Sequence, residues 1–173
     1  YLIHDPNILF NSKFTYTHLT KFINCGIIKN FGVSIYTLRE FFKARKYKKI
    51  NCVQLPFNIL DYKWKNILNT KNKNFKIFVR SIFLRGNLKK NDIKFPIYKL
   101  NHKKLVSELN KLVKKFKKKN LLDMSIAYIK SFKGIDFYVL GVENQLNLKN
   151  SLNYFKKKLI KESEKNIIIK TVK

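Results

Sequence analysis

Glycine and proline together supply only eight of the 173 residues, too few for a low-complexity chain or one dominated by long loops. Cysteine is scarcer still, with two residues. Cys25 and Cys52 stand in neither a CxxC nor any zinc-like spacing, so no metal site is expected, and both read as small core residues suited to a reducing compartment. Long apolar runs are missing too: Phe137 to Leu140 and Ile167 to Ile169 are far shorter than the roughly 20 residues a bilayer span needs. The expectation is a soluble, cytoplasmic protein. No basic stretch followed by an apolar core and a small-residue cleavage site opens the chain, so a signal peptide is not expected. Methionine occurs once, at Met124, and the first residue is Tyr1, from which the sequence reading expects further residues upstream.

Acid is sparse as well: ten Asp and Glu face 38 Lys and Arg, for a formal charge of +28. Such a balance invites a nucleic-acid reading. Against it, lysine is spread over every segment beside abundant Asn and Ile, and arginine, the better bidentate reader of phosphate and guanine, appears only at positions 39, 45, 80 and 85. A compositional bias acting on the surface accounts for the charge. What the chain does have is apolar bulk, 45% hydrophobic and 14% aromatic, enough for a buried core in one domain over residues 1–173.

Strand-like and helix-like periods alternate along the chain. Tyr1 to His4 is a short apolar run ended by Asp5 and Pro6, and Leu19, Phe22 and Ile23 then recur at helical spacing before Gly26, a residue suited to a left-handed helix end. Ile27 to Tyr36 contains a second strand. Thr37 and Glu40 form a capping box for a helix carrying Leu38, Phe41 and Phe42. A third strand at Cys52 to Leu55 precedes a helix around Trp64, Ile67 and Leu68, and a fourth runs from Phe75 to Phe83. The Lys- and Asn-rich connection that follows, with Pro96, is long enough to be a functional loop. Leu105, Leu109, Leu112, Val113 and Phe116 form an apolar stripe opposite a basic face. A helix from Leu121 to Ser131 leads through Gly134 to a fifth strand at Phe137 to Val142, and a last helix carries Leu148, Leu152, Phe155 and Leu159.

Repeated strand-helix units with strands too apolar to expose a face predict a parallel sheet covered by helices. No GxGxxG follows any strand, which argues against an open dinucleotide-binding sheet. The expected fold is therefore α/β, a (β/α)8 TIM barrel, incomplete and lacking its first three strand-helix units. In such a barrel the chemistry gathers at the carboxyl ends of the strands. Those ends are polar: His4 and Asp5, Ser34, Gln54 and Asn58, Arg80 and Ser81, then Gly141, Glu143 and Asn144.

Five motifs carry a resemblance: IHDP at residues 3 to 6, GVSIYT at 32 to 37, VQLPFNILD at 53 to 61, VRSIFLRG at 79 to 86 and LGVEN at 140 to 144. In order and spacing they resemble the aldo/keto reductase family. The resemblance implies an NADP- (NADPH-) or NAD-dependent oxidoreductase acting on a small carbonyl substrate. It implies that His4 is the histidine of the catalytic Asp, Tyr, Lys and His tetrad, and that Ser34 and Gln54 hold the nicotinamide carboxamide. Arg80 stands where many members stack an aromatic on the nicotinamide ring. Ser81, Phe83 and Gly86 match the loop beneath the pyrophosphate, and Gly141 opens the final strand-to-helix turn. Asn147, Asn150 and Ser151 match contacts to the adenosine part. Three positions depart from the pattern: Ile35 and Asn150 replace an Asn and an acid, and Arg80 replaces the aromatic. The tetrad's Asp, Tyr and Lys have no match here, so the 173 residues alone are expected to be inactive. Two other readings stay open, a catalytically inactive barrel serving as a binding module and a basic protein that binds nucleic acid.

Overall fold

The structure, a computed structural model, describes residues 1–71, 75–84 and 102–173. Five strands, β1 (Leu2–Ile3), β2 (Gly32–Ser34), β3 (Cys52–Pro56), β4 (Lys76–Arg80) and β5 (Phe137–Tyr138), form one sheet in the order of the chain. Every neighbouring pair is parallel, as the apolar strands predict. β1 and β5 each pair on one side only, so the sheet does not close.

Register sorts the side chains, because residues side by side in a parallel sheet point to the same face. Val33, Val53 and Ile77 lie in one row and Leu55 and Val79 in the next but one. All five are fully buried. They face helices. The opposite face carries Gly32 and Cys52, then Ser34, Gln54, Phe78 and Phe137, then Pro56 and Arg80. It is more open: Phe137 is 48% exposed. Gly32 is required by crowding, since a Cβ there would strike the Cys52 carbonyl oxygen, the Cys52 Sγ and a Leu2 methyl.

The first two helices are α1 (Pro6–Phe10) and α2 (Lys13–Asn24). Asp5 caps α1, its Oδ1 accepting from the Asn7 N–H at 2.9 Å, with Pro6 at the first helical position. Gly26, at φ 75°, turns the chain just beyond α2. Cys25, expected in the core, is instead exposed at the end of α2, a helix that buries none of its residues. Phe22 on its predicted stripe is 44% exposed. In α3 (Leu38–Ala44) the capping box forms as expected: Thr37 Oγ1 accepts from the Glu40 N–H at 3.2 Å and Glu40 Oε2 from the Thr37 N–H at 2.9 Å. Of its predicted stripe only Phe41 is buried. The helix around Trp64 shrinks to one turn, α4 (Lys65–Leu68), which has no side-chain cap, although Trp64 and Leu68 are fully buried.

α5 (His102–Lys115) buries Leu105, Leu109 and Val113 and exposes Lys104, Lys111, Lys114 and Lys115, as its one-sided stripe predicts. α6 (Leu121–Lys130) is buried from Met124 to Ile129 with Phe132 following. It is the central helix of the core. The predicted last helix ends at Phe155 as α7 (Gln145–Phe155), and an unpredicted helix follows, α8 (Glu162–Val172). The apolar stripe expected to bury α7 does not, since Leu148, Leu152 and Leu159 are 40 to 50% exposed, and Leu159 lies beyond the helix. Instead Lys130 Nζ donates to the carbonyls of Phe155 and Lys157, tying the end of α7 to α6. α8 escaped the sequence reading because a buried cation interrupts its pattern. Lys165 is 3% exposed and is matched by Glu162 at 2.7 Å, Asn69 at 3.1 Å and the Phe132 ring at 4.5 Å.

Candidate functional site

The carboxyl ends of the strands are built by short polar extensions of the ladder. The Ile35 N–H donates to the Gln54 carbonyl at 2.8 Å, the Phe57 N–H to the Arg80 carbonyl at 3.0 Å and the Val139 N–H to the Val79 carbonyl at 2.8 Å. These bonds hold Ser34 beside Gln54, whose Cα atoms are register partners, and place Arg80 one step further along the same face. His4 follows β1 directly after the Ile3↔Val33 pair, as Ser34 follows it in β2, and its side chain is exposed. The Asp5 and Pro6 beside His4 serve locally, as the cap and first residue of α1.

Past β4 the backbone is strained. Ser81 and Leu84 both adopt left-handed φ values, 60° and 52°, which residues with a Cβ rarely occupy. The Leu84 N–H closes this turn onto the Ser81 carbonyl at 3.1 Å. On the far side α7 begins with Asn144 as its cap, Oδ1 accepting from the Asn147 N–H at 2.9 Å, and carries no acid in its first turn. Its amide dipoles therefore present partial positive charge there, with exposed Glu143 just ahead of the cap.

Between this turn and α7 lies a cleft of about 850 Å³. Eight residues singled out from the sequence line it: Arg80, Ser81, Phe83, Gly141, Glu143, Asn147, Asn150 and Ser151. His4, Ser34 and Gln54 do not line it; they stand at the ends of β1, β2 and β3, with β3 the neighbour of β4. Gly86 and the Lys- and Asn-rich connection with Pro96 lie outside the described residues. Sequence reasoning passed over Asn120 and Tyr154 as lining residues. The two also bond each other, Asn120 Nδ2 donating to Tyr154 Oη at 2.8 Å. Nothing in their spacing marks a pair 34 residues apart.

Polar atoms around the site are under-satisfied. Ser34 Oγ, Arg80 Nε and Arg80 Nη2 are buried without a hydrogen-bond partner, a condition that costs about 1–3 kcal/mol per group. Arg80 Nη1 donates to Ser81 Oγ at 3.3 Å, and the guanidinium lies 4.7 Å from the centre of the Tyr36 ring. Arg80 thus links the cleft to the end of β2. Ser151 Oγ, by contrast, donates to the Asn147 carbonyl at 2.8 Å, leaving it only as an acceptor. Gly141 has open space where a Cβ would stand and no positive φ, so neither packing nor backbone conformation demands glycine there. Among the described residues no group of three His, Cys, Asp or Glu could hold a metal ion, and no helix is long and apolar enough to cross a membrane.

Known proteins share this fold. An aldo-keto reductase from Bacillus halodurans in its holo form superposes with a TM-score of 0.79 at 16% identity, over 100% of this chain and 60% of that one. A glycerol dehydrogenase from Gluconobacter oxydans superposes with a TM-score of 0.71 at 17% identity, over 99% of this chain and 57% of that one. These likenesses carry the fold, and this chain spans 57 to 60% of the length of those two proteins. No curated protein matches. The sequence model of the aldo/keto reductase family matches residues 1–170. With that match over nearly every residue, the chain belongs to the aldo/keto reductase family.

Proposed function

We propose that this chain is the cofactor-binding portion of an NAD(P)H-dependent carbonyl reductase, the last five strand-helix units of an eight-fold barrel. One observation carries the reading: a single cleft gathers seven residues that the sequence had marked for the cofactor. The donor chemistry fits a dinucleotide. A pyrophosphate suits the left-handed turn at Ser81, the bare backbone at Gly141 and the positive end of α7. Ser34 Oγ, buried and unpartnered, and its register partner Gln54 suit a carboxamide, which both donates and accepts. Asn147, Asn150 and Ser151 would hold the adenosine part, with Ser151 as acceptor.

When bound, the cofactor supplies hydride to a carbonyl carbon. The chain's own residues hold and orient it. His4, exposed at the end of β1, would hydrogen-bond the substrate carbonyl. A proton donor is also needed, and none of the motifs matched here supplies the tetrad's Asp, Tyr or Lys. We therefore assign reduction to the complete protein and expect none from the 173 residues alone. The test is titration of the complete protein with NADPH and NADH, followed by cofactor oxidation with a panel of aldehydes. Binding of either cofactor, with aldehyde-dependent oxidation, is the expected result; no binding of either refutes the reading.

A further inference from the structure

Arg80 is a half-buried cation with no counter-ion among the described residues. None of the five ion pairs among the described residues includes it, and two of its three nitrogens, Nε and Nη2, have neither solvent nor acceptor. Among the described residues Ser81 Oγ and the Tyr36 ring engage the guanidinium. Among the described residues Glu143 is the one acid lining the same cleft, and it is exposed, so water and salt screen it. An arginine cannot relieve such burial by losing its proton. Its charge therefore acts on whatever enters the cleft.

We infer that Arg80 sets the redox preference of the site, favouring the reduced cofactor over the oxidised one. This rests on the proposed binding of a nicotinamide cofactor. The oxidised and reduced forms differ by one positive charge, carried on the nicotinamide ring. Ser34 and Gln54, proposed for that ring's carboxamide, lie on the same sheet face as Arg80, with Gln54 two residues before Pro56, the register partner of Arg80. A fixed cation nearby repels the oxidised ring and leaves the neutral reduced ring unaffected. The repulsion is felt through space, so it needs no hydrogen bond from Nε or Nη2. Preference for the reduced form favours loading of the reduced cofactor and release of the oxidised one, while the same repulsion makes the bound reduced ring a weaker hydride donor than the free one, because Arg80 opposes the positive charge that forms as hydride leaves.

The experiment compares dissociation constants of the complete protein for NADPH against NADP+, and for NADH against NAD+, in the wild type, Arg80→Gln and Arg80→Lys. The wild type is expected to bind the reduced form more tightly, and Arg80→Gln to shrink that ratio by about tenfold, the scale of a single charge acting at partly screened range. Arg80→Lys keeps the charge and is expected to hold the ratio within about threefold of wild type by the same Coulomb argument. A wild type that prefers the oxidised form overturns the inference even if no variant folds. So does an Arg80→Gln protein that binds both forms with the wild-type ratio. Absence of binding by either form refutes the cofactor reading itself and the inference with it, whereas an unchanged ratio leaves that reading standing.

Discussion

Replacing Ser34 with alanine should make the protein more stable and a poorer binder. Ser34 is 2% exposed and its Oγ has no partner, so the folded state carries a dehydrated hydroxyl that gains nothing in return. An unsatisfied buried hydroxyl costs about 1–3 kcal/mol, and alanine removes it while leaving a void of one oxygen. We expect a net gain of about 1 kcal/mol, which is roughly 2–4 °C in melting temperature for a domain of this size. The same substitution removes a group proposed to hold the carboxamide, and a lost hydrogen bond of about 1 kcal/mol weakens NADPH by roughly five- to tenfold. The assay is a thermal melt and a fluorescence titration on the complete Ser34→Ala protein. A lowered melting temperature would show that the hydroxyl supports the fold; an unchanged affinity would remove Ser34 from the site.

Other substitutions test the frame around it. Gly32→Ala places a Cβ against the Cys52 backbone and should destabilise by about 3 kcal/mol in denaturant titration, the upper range for overpacking. Thr37→Ala breaks the capping box of α3 and should cost about 1 kcal/mol in the same measurement. Tyr128 is fully buried and its phenol is held well above the ordinary 10.0, first by burial and then by the charge of Asp61. The folded state thus keeps a proton that the unfolded chain loses, so stability is intact below pH 10 and falls above it, by about 1.4 kcal/mol per pH unit from this group. Chemical melts of Tyr128→Phe should lack that part of the slope. DNA binding should be weak and vanish at moderate salt in a filter or anisotropy assay, because dispersed lysines neutralise few phosphates at once.

What the sequence revealed, and what it hid, follows from the range of the interactions. The capping box at Thr37 and Glu40, the turn at Gly26 and the one-sided stripe of α5 depend on residues a few positions apart, and each forms where the pattern puts it. Parallel pairing was legible because the strands read as too apolar to expose a face. Strand length was not: Phe137 to Val142 reads as six residues of strand, yet only Phe137 and Tyr138 pair, since β5 has a neighbour on one side alone. α8 was missed because its buried lysine depends on Asn69 and Phe132, far off in sequence. Cys25 was misplaced because smallness and composition do not tell a core position from a helix end. The cleft residues were found by resemblance to family motifs, whereas the contact of Arg80 with Tyr36 joins β4 to β2 across β3 and leaves no mark in local sequence.

Because spatial order along the sheet repeats chain order without a single exchange, synthesis and assembly can run in step. As the polypeptide leaves the ribosome, each new strand meets a finished neighbour and waits for no later segment to be inserted between them. A translational pause after any unit would leave a shorter sheet of the same kind, with one growing margin ready for the next strand.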